Sequence, residues 1–275
     1  MAKKFKGEVI CADSRTIYKY FDIGTAKPSK KERQGVKHHL LDFVDPQKKV
    51  YTVAQFQRDA LKTIEDIIKR KKLPIIVGGS ALYIYALTRN YQFPGKSDTK
   101  LRRELESRSL SELQAIAKRS KKITLNPSDF QNKRRLIRAI EIFRNLKFEI
   151  RNSFLSPLPY YFLKIGVDLP RSQIYERIDR RTQSWMNKGL VEEVKNLLRR
   201  GIPKDRIIEF GLGYREVIKY LDGEIRTKKE LVDRINFSQH AFVRRQMTWF
   251  RRDKEIQWCN NITNTEKLVS NFLEK

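Results

Sequence analysis

The sequence predicts an α/β protein built on a parallel sheet, with an all-helical segment inserted into it. Three features point there. Two short β-prone runs, Glu8-Val9-Ile10-Cys11-Ala12 and Leu73-Pro74-Ile75-Ile76-Val77, each stop abruptly, the first at Asp13 and the second at Gly78-Gly79. Between them Thr52-Val53-Ala54-Gln55 has capping-box form and opens a helix with Val53, Phe56, Ala60, Ile64, Ile67 and Ile68 at helical spacing. From Lys96 to Asn152 the periodicity becomes helical, with dense positive charge. A strand–helix–strand crossover implies parallel pairing, and in such sheets ligands bind at the carboxyl ends of the strands, where Asp13 and Gly78-Gly79-Ser80 fall.

The remaining elements follow in order. Both β-prone runs read as buried strands, and Tyr161 to Val167, ending at Asp168, reads as a third strand of the same sheet. Ser109-Leu110-Ser111-Glu112 opens a helix as a capping box. Asp129 is expected to cap the next one, which carries Leu136, Ile137, Ile140 and Phe143 on its apolar side. Ser172 starts a helix with Ile174, Ile178 and Trp185 inward; Leu190, Val191, Val194, Leu197 and Leu198 form a stripe that Gly201 closes. Thr227 caps a last long helix reaching about Phe250. The expected division is a core of residues 1–96 and 158–275, with residues 97–157 as the helical insertion.

Composition narrows the partners. The 275 residues include 59 Lys+Arg against 32 Asp+Glu, a formal charge of +27 that favours a polyanion and binds phosphate backbones by counterion release. With 40% hydrophobic residues the chain has enough apolar material for a core, which excludes a disordered polyelectrolyte. Cys11 and Cys259 match no zinc or redox spacing and read as reduced thiols of a cytoplasmic protein. No apolar stretch approaches the roughly 20 residues that span a bilayer, so no membrane partner is expected.

Asp13-Ser14-Arg15-Thr16 puts a carboxylate, two hydroxyls and a guanidinium directly after a strand. Asp13 there either serves as an acid or base or caps the following turn. Gly78-Gly79-Ser80 either offers close backbone approach and a hydroxyl to a phosphate or is a plain turn. Arg134, Arg135 and Arg138 form one basic patch opposite their helix's apolar stripe. In the last helix Arg244, Thr248 and Arg251 lie along one side and Arg245, Trp249 and Arg252 along the next, a mixture suited to RNA phosphates and bases unless Trp249 and Phe250 belong to the core. Adjacent His38 and His39 lack metal-ligand spacing, and no metal ligand is assigned. The P-loop pattern is absent; the near miss Gly95-Lys96-Ser97 has Asn90 where the first glycine is required.

These residues resemble the tRNA dimethylallyltransferases, also called isopentenyl-diphosphate:tRNA transferases. The stretches are Ala12 to Tyr18, Asp22-Ile23-Gly24-Thr25-Ala26-Lys27-Pro28, His38-His39-Leu40-Leu41-Asp42, Gly78 to Tyr83, Arg138-Ala139-Ile140-Glu141, Gly213-Tyr214-Arg215-Glu216 and Arg245 to Arg251, in family order. The resemblance implies a P-loop-kinase-like parallel sheet lacking its first strand and P-loop. It also implies transfer of a dimethylallyl group from dimethylallyl diphosphate to N6 of the adenosine 3′ of the anticodon. By the same resemblance Asp13 is the general base and Ser80 lies near the leaving diphosphate. Asp13, Ser14, Arg15 and Thr16 touch tRNA, as do Arg134, Arg135, Leu136, Ile137 and Arg138, with Arg245 and Arg251 from the last helix. Mg²⁺ is the expected cofactor, the anticodon stem-loop the partner, and a monomer the expected state.

Two departures accompany the resemblance. Ala81 stands where the family has glycine. Family members also begin with a strand and P-loop, so that Met1 falls inside their first helix, and the full protein is expected to have about twenty more residues ahead of it. A chain without them is expected to be poorly soluble and of low stability. A tRNA-binding remnant without chemistry is the alternative function, and a small-molecule kinase relative is a third.

Overall fold

The computed structural model describes residues 1–47, 50–93, 98–120, 123–144 and 158–274. The chain forms two compact units, residues 1–89 with 158–275 and residues 90–157. In the first, β1 (Gly7–Cys11), β2 (His38–His39), α1 (Val53–Lys69), β3 (Leu73–Val77) and α2 (Ala81–Thr88) follow one another. The second holds α3 (Thr99–Ser107), α4 (Leu110–Arg119), α5 (Pro127–Phe130) and α6 (Lys133–Arg144). The chain then returns through β4 (Ile165–Val167), α7 (Arg171–Asn187), α8 (Leu190–Arg199), α9 (Lys204–Glu209) and α10 (Leu212–Leu221). It ends with α11 (Lys228–Phe250), β5 (Gln257–Cys259) and α12 (Ile262–Leu273), the last of which the sequence reading missed.

The crossover is parallel as expected. The strand order is β2-β1-β3, with Gly7 opposite Leu73 and Cys11 opposite Val77. Thr52 caps α1 with the full reciprocal box to Gln55, and Phe56, Ala60, Ile64 and Ile67 of that helix are buried against the sheet. Tyr18, Phe21, Phe210 and Tyr214 extend the same core, Phe21 stacking on Phe210 with centroids 3.8 Å apart. Gly201, at φ +76°, ends α8 with left-handed backbone while Ile202 N–H returns to Leu197 O at 3.2 Å.

Three expectations fail. The run from Tyr161 to Val167 does not join the first sheet: only Ile165–Val167 is strand, and it pairs in parallel with β5. Its backbone groups are satisfied there, Gln257 N–H donating to Lys164 O at 2.9 Å and Asp168 N–H to Cys259 O at 2.8 Å. Nor is β3 buried throughout. Among the described residues it pairs on one side only, with β1, and Val77 is 53% exposed; an apolar run reports preference for burial, not whether a neighbour covers both faces. Finally, Asp129 lies within α5, capped by Asn126, and Asn132 Oδ1 accepts from Arg135 N–H at 3.2 Å at the start of α6. The near miss at Gly95 to Ser97 lies outside the described residues.

Candidate functional site

Parallel pairing brings the carboxyl ends of β1 and β3 side by side. Ala12 N–H extends the ladder to Val77 O at 2.8 Å, after which one chain turns through Asp13 to Thr16 and its neighbour through Gly78 to Ser80. The two loops hold each other. Ser14 N–H donates to Ser80 Oγ at 2.9 Å, Ser80 Oγ donates to Ser14 Oγ at 3.2 Å, and Ser80 N–H donates to Ala12 O at 3.3 Å. Ser80 is the N-cap of α2 but makes no capping bond with its side chain, because the hydroxyl is committed to Ser14. A Cβ on Gly78 would lie 2.1 Å from Ala12 O, so this approach requires glycine. Ala81 opens α2 as an ordinary helical residue.

Of the two readings of Asp13, the turn cap is observed. Its Oδ1 accepts from Arg15 N–H at 2.7 Å and Thr16 N–H at 3.4 Å, closing the turn and leaving Oδ2 outside those bonds. Arg15 is exposed. Thr16 is only 7% exposed, and its Oγ1 has no hydrogen-bond partner among the described residues. Cys11 lies at the end of β1; burial first, then the charge of Asp13, pushes its thiol up to about 11. It stays protonated at neutral pH and is no nucleophile.

Sequence reading missed what braces this turn from behind. Asp42 N–H donates to Thr16 O at 3.0 Å, and Phe43 and Val44 N–H both donate to Ile17 O. Lys27, whose side chain is 5% exposed, donates to Tyr18 O at 2.6 Å and to Asp42 Oδ1 at 2.7 Å, and pairs with Asp22 Oδ1 at 2.6 Å. Glu193 accepts from the backbone N–H groups of Asp22, Ile23 and Gly24 and from Tyr214 Oη at 2.6 Å. The signal was present in the stretches from Asp22 to Pro28 and Gly213 to Glu216, but no pattern of spacing connects Glu193 to either.

A third wall comes from α11. Gln246 Nε2 donates to Gly79 O at 2.9 Å. On another face of the same helix Arg244, Arg245, Thr248 and Trp249, with Arg252 just beyond its end, line a cleft of about 400 Å³. Trp249 is 50% exposed, which answers the alternative that it belongs wholly to the core. Arg244 donates to Tyr175 Oη at 3.0 Å, while Arg251 turns to Asp168 at 3.3 Å and does not line the cleft.

The stretch from Arg134 to Arg138 belongs to the other unit. Leu136 and Ile137 are buried in its core with Leu105, Leu113 and Ile140, so their side chains are not on the surface. Arg134 and Arg135 are exposed, Arg135 pairing with Asp129. Arg138 reaches Glu141 at 3.2 Å; that carboxylate is fully buried and also lies 3.6 Å from Arg102.

Among the described residues no group of three or more His, Cys, Asp or Glu side chains could hold a metal ion. His38 and His39 are engaged by Val36 O at 2.9 Å and Glu8 Oε2 at 2.6 Å. No described helix is long and apolar enough to cross a membrane.

A family model described as IPP transferase matches residues 16–253. The chain belongs to the IPP transferase family. It is 39% identical to a tRNA dimethylallyltransferase of Acetivibrio thermocellus, over 99% of this chain and 90% of that one. A tRNA dimethylallyltransferase of Thermomicrobium roseum is 40% identical, over 94% of this chain and 80% of the relative. Among solved structures, the full-length tRNA isopentenylpyrophosphate transferase of Bacillus halodurans superposes with a TM-score of 0.70 at 34% identity, covering 99% of this chain and 89% of that chain. A eukaryotic dimethylallyltransferase acting on tRNA gives 0.72 at 25% identity, covering 90% and 64% respectively. The chain thus shares the fold of these transferase structures over nearly its whole length.

Proposed function

We propose that the protein is a tRNA prenyltransferase that moves a dimethylallyl group from dimethylallyl diphosphate to N6 of the adenosine 3′ of the anticodon, acting as a cytoplasmic monomer. The observation that carries this reading is the pairing of the Asp13 and Ser80 loops at the carboxyl end of a parallel sheet, in a chain of the IPP transferase family; α11, the helix that bonds Gly79 through Gln246, also carries the arginine and tryptophan face.

The chemistry asks for three things. An exocyclic amine is a weak nucleophile, so the adenine must be splayed from its loop, aligned on the allylic carbon and relieved of a proton as the bond forms. Asp13 takes that proton: the N6–C bond forms, the C–O bond to the diphosphate breaks, and its electron pair leaves with the diphosphate. The turn bonds to Oδ1 hold the carboxylate in place, and Oδ2 receives the proton. Ser80, bonded to Ser14 next to Asp13, is the residue we assign to the departing diphosphate. Arg15 and Arg245, with Arg251 at the margin, contact the RNA, and Trp249 offers a face on which a base stacks. The arginines of α6 add a second set of phosphate contacts. Mg²⁺ would screen the diphosphate's charge when bound; among the described residues no group of three or more His, Cys, Asp or Glu side chains could hold it alone.

The test is direct. Incubation with dimethylallyl diphosphate and an anticodon stem-loop RNA is expected to add one C5H8 unit to the RNA, on the adenosine 3′ of the anticodon. RNA that binds but gains no mass would overturn the reading in favour of a tRNA-binding remnant.

A further inference from the structure

Gln246 is absent from the roles considered so far, yet it is the residue through which α11 meets the site. Its amide donates to Gly79 O at 2.9 Å, directly between Gly78, which lies against Ala12, and Ser80, which holds Ser14. The peptide that carries that carbonyl also carries the N–H of Ser80, and this N–H donates to Ala12 O at 3.3 Å. Fixing the Gly79 carbonyl therefore fixes the plane of the peptide that orients Ser80. From Ser80 the chain of bonds continues to Ser14 N–H at 2.9 Å, and from there to the turn closed on Asp13 Oδ1.

The glycine between the loops fits the same account. A Cβ on Gly79 would lie 2.2 Å from Gln246 Nε2 and 3.5 Å from its Cδ, with no backbone atom in the way. Gly78 differs, since its Cβ would strike the backbone of Ala12. Residue 79 is thus small because a glutamine amide must sit over it. The neighbours of Gln246 on α11, Arg245 and Trp249, face the cleft.

We infer that Gln246 is a positioning residue: by holding the Gly79 carbonyl it sets the Ser80 loop, and through Ser80 and Ser14 the turn that carries Asp13. The proposal rests on the transfer reading above for its kinetic consequence, and on geometry alone for its structural one.

The experiment uses the full chain with two single variants, Gln246→Met and Gly79→Ala, and their double variant. Met keeps the length of the side chain and removes the donor. Gly79→Ala leaves the glutamine in the sequence but pushes its amide aside, and a flexible side chain absorbs that shift. Its melting temperature is accordingly expected to stay within about 3 °C of wild type. In the transfer assay with the stem-loop RNA each single variant is expected to lower kcat by about tenfold or more, since small misplacements of reacting groups are felt strongly. KM for the RNA is expected to stay within about twofold, because neither variant removes a cation. The double variant is expected to be no slower than the slower single one, as two lesions in one bond must be. Amide hydrogen exchange of residues 13–16 is expected to quicken in both single variants while that of β1 is unchanged. Unchanged kcat in both, additive losses in the double variant, or unchanged exchange at residues 13–16 would each overturn the proposal. A wild-type protein with no transfer activity would instead sink the transfer reading, and the exchange measurement would still decide the role of Gln246.

Discussion

Replacing Asp13 with asparagine separates what the carboxylate does for the turn from what it does for the chemistry. In the wild type Oδ1 accepts two backbone N–H groups, at 2.7 and 3.4 Å. Asparagine offers the same carbonyl oxygen in the same place, so both bonds survive, and the change in stability is expected to be under about 1 kcal/mol. What is lost is the second oxygen's ability to take a proton. General-base catalysis contributes about 10²- to 10⁴-fold, which corresponds to about 2.7 to 5.4 kcal/mol in the barrier. A single-turnover assay with excess enzyme, stem-loop RNA and dimethylallyl diphosphate isolates that step from product release. Asp13→Asn is expected to slow it by at least about a hundredfold with RNA affinity nearly unchanged. Asp13→Ala should lose the turn as well, with about 0.5–2 kcal/mol of stability, as loss of a capping oxygen costs elsewhere. Prenyl transfer by Asp13→Asn at the wild-type rate would refute the assignment of the base outright.

Other consequences concern the frame around the site. Gly78→Ala should destabilise by about 1–3 kcal/mol, the usual cost of overpacking, because its Cβ meets backbone at 2.1 Å; thermal melts should rank it well below Gly79→Ala. Lys27→Met removes the donor to the Tyr18 carbonyl, while its partners Asp22 and Asp42 stay open to water, and is expected to cost about 1–3 kcal/mol, the range for an unmet backbone group, read from the urea midpoint. Glu8 is buried among Arg70, Lys72 and His39, and the bonds from Arg70 above all hold its carboxyl far below its ordinary 4.5. A depressed acid stabilises the fold above its unfolded pKa and loses that contribution as protons bind on the way down. Wild-type stability should therefore fall as pH drops below about 4.5, and its advantage over Glu8→Gln should shrink with it; parallel melting curves against pH would contradict this.

Much of the architecture was legible from local signals. Thr52 with Gln55, Ser109 with Glu112, and Thr227 ahead of α11 each cap the helix expected, because a cap is a contact over three residues and needs nothing distant. The two loops at the strand ends could be placed for the same reason: abrupt loss of β-prone residues at Asp13 and Gly78 marks where the strands stop. Asp129 shows the limit of such signals, since Asn126 and Asn132 nearby offer the same oxygen and only the path of the chain selects between them.

The amino-acid order alone thus determined the parallel crossover, the basic character and the two loops that face each other, all of which depend on neighbours in sequence or on summed charge. The tertiary structure decided the rest. It paired β4 with β5 instead of adding it to the first sheet, buried Leu136 and Ile137 beneath their arginines, and brought Gln246 across 167 residues to Gly79. Glu193 reached the Asp22 turn in the same way. A hydrogen bond between residues so far apart leaves no periodicity in the chain, because its geometry is set by how helices and strands pack and not by the spacing of the residues it joins.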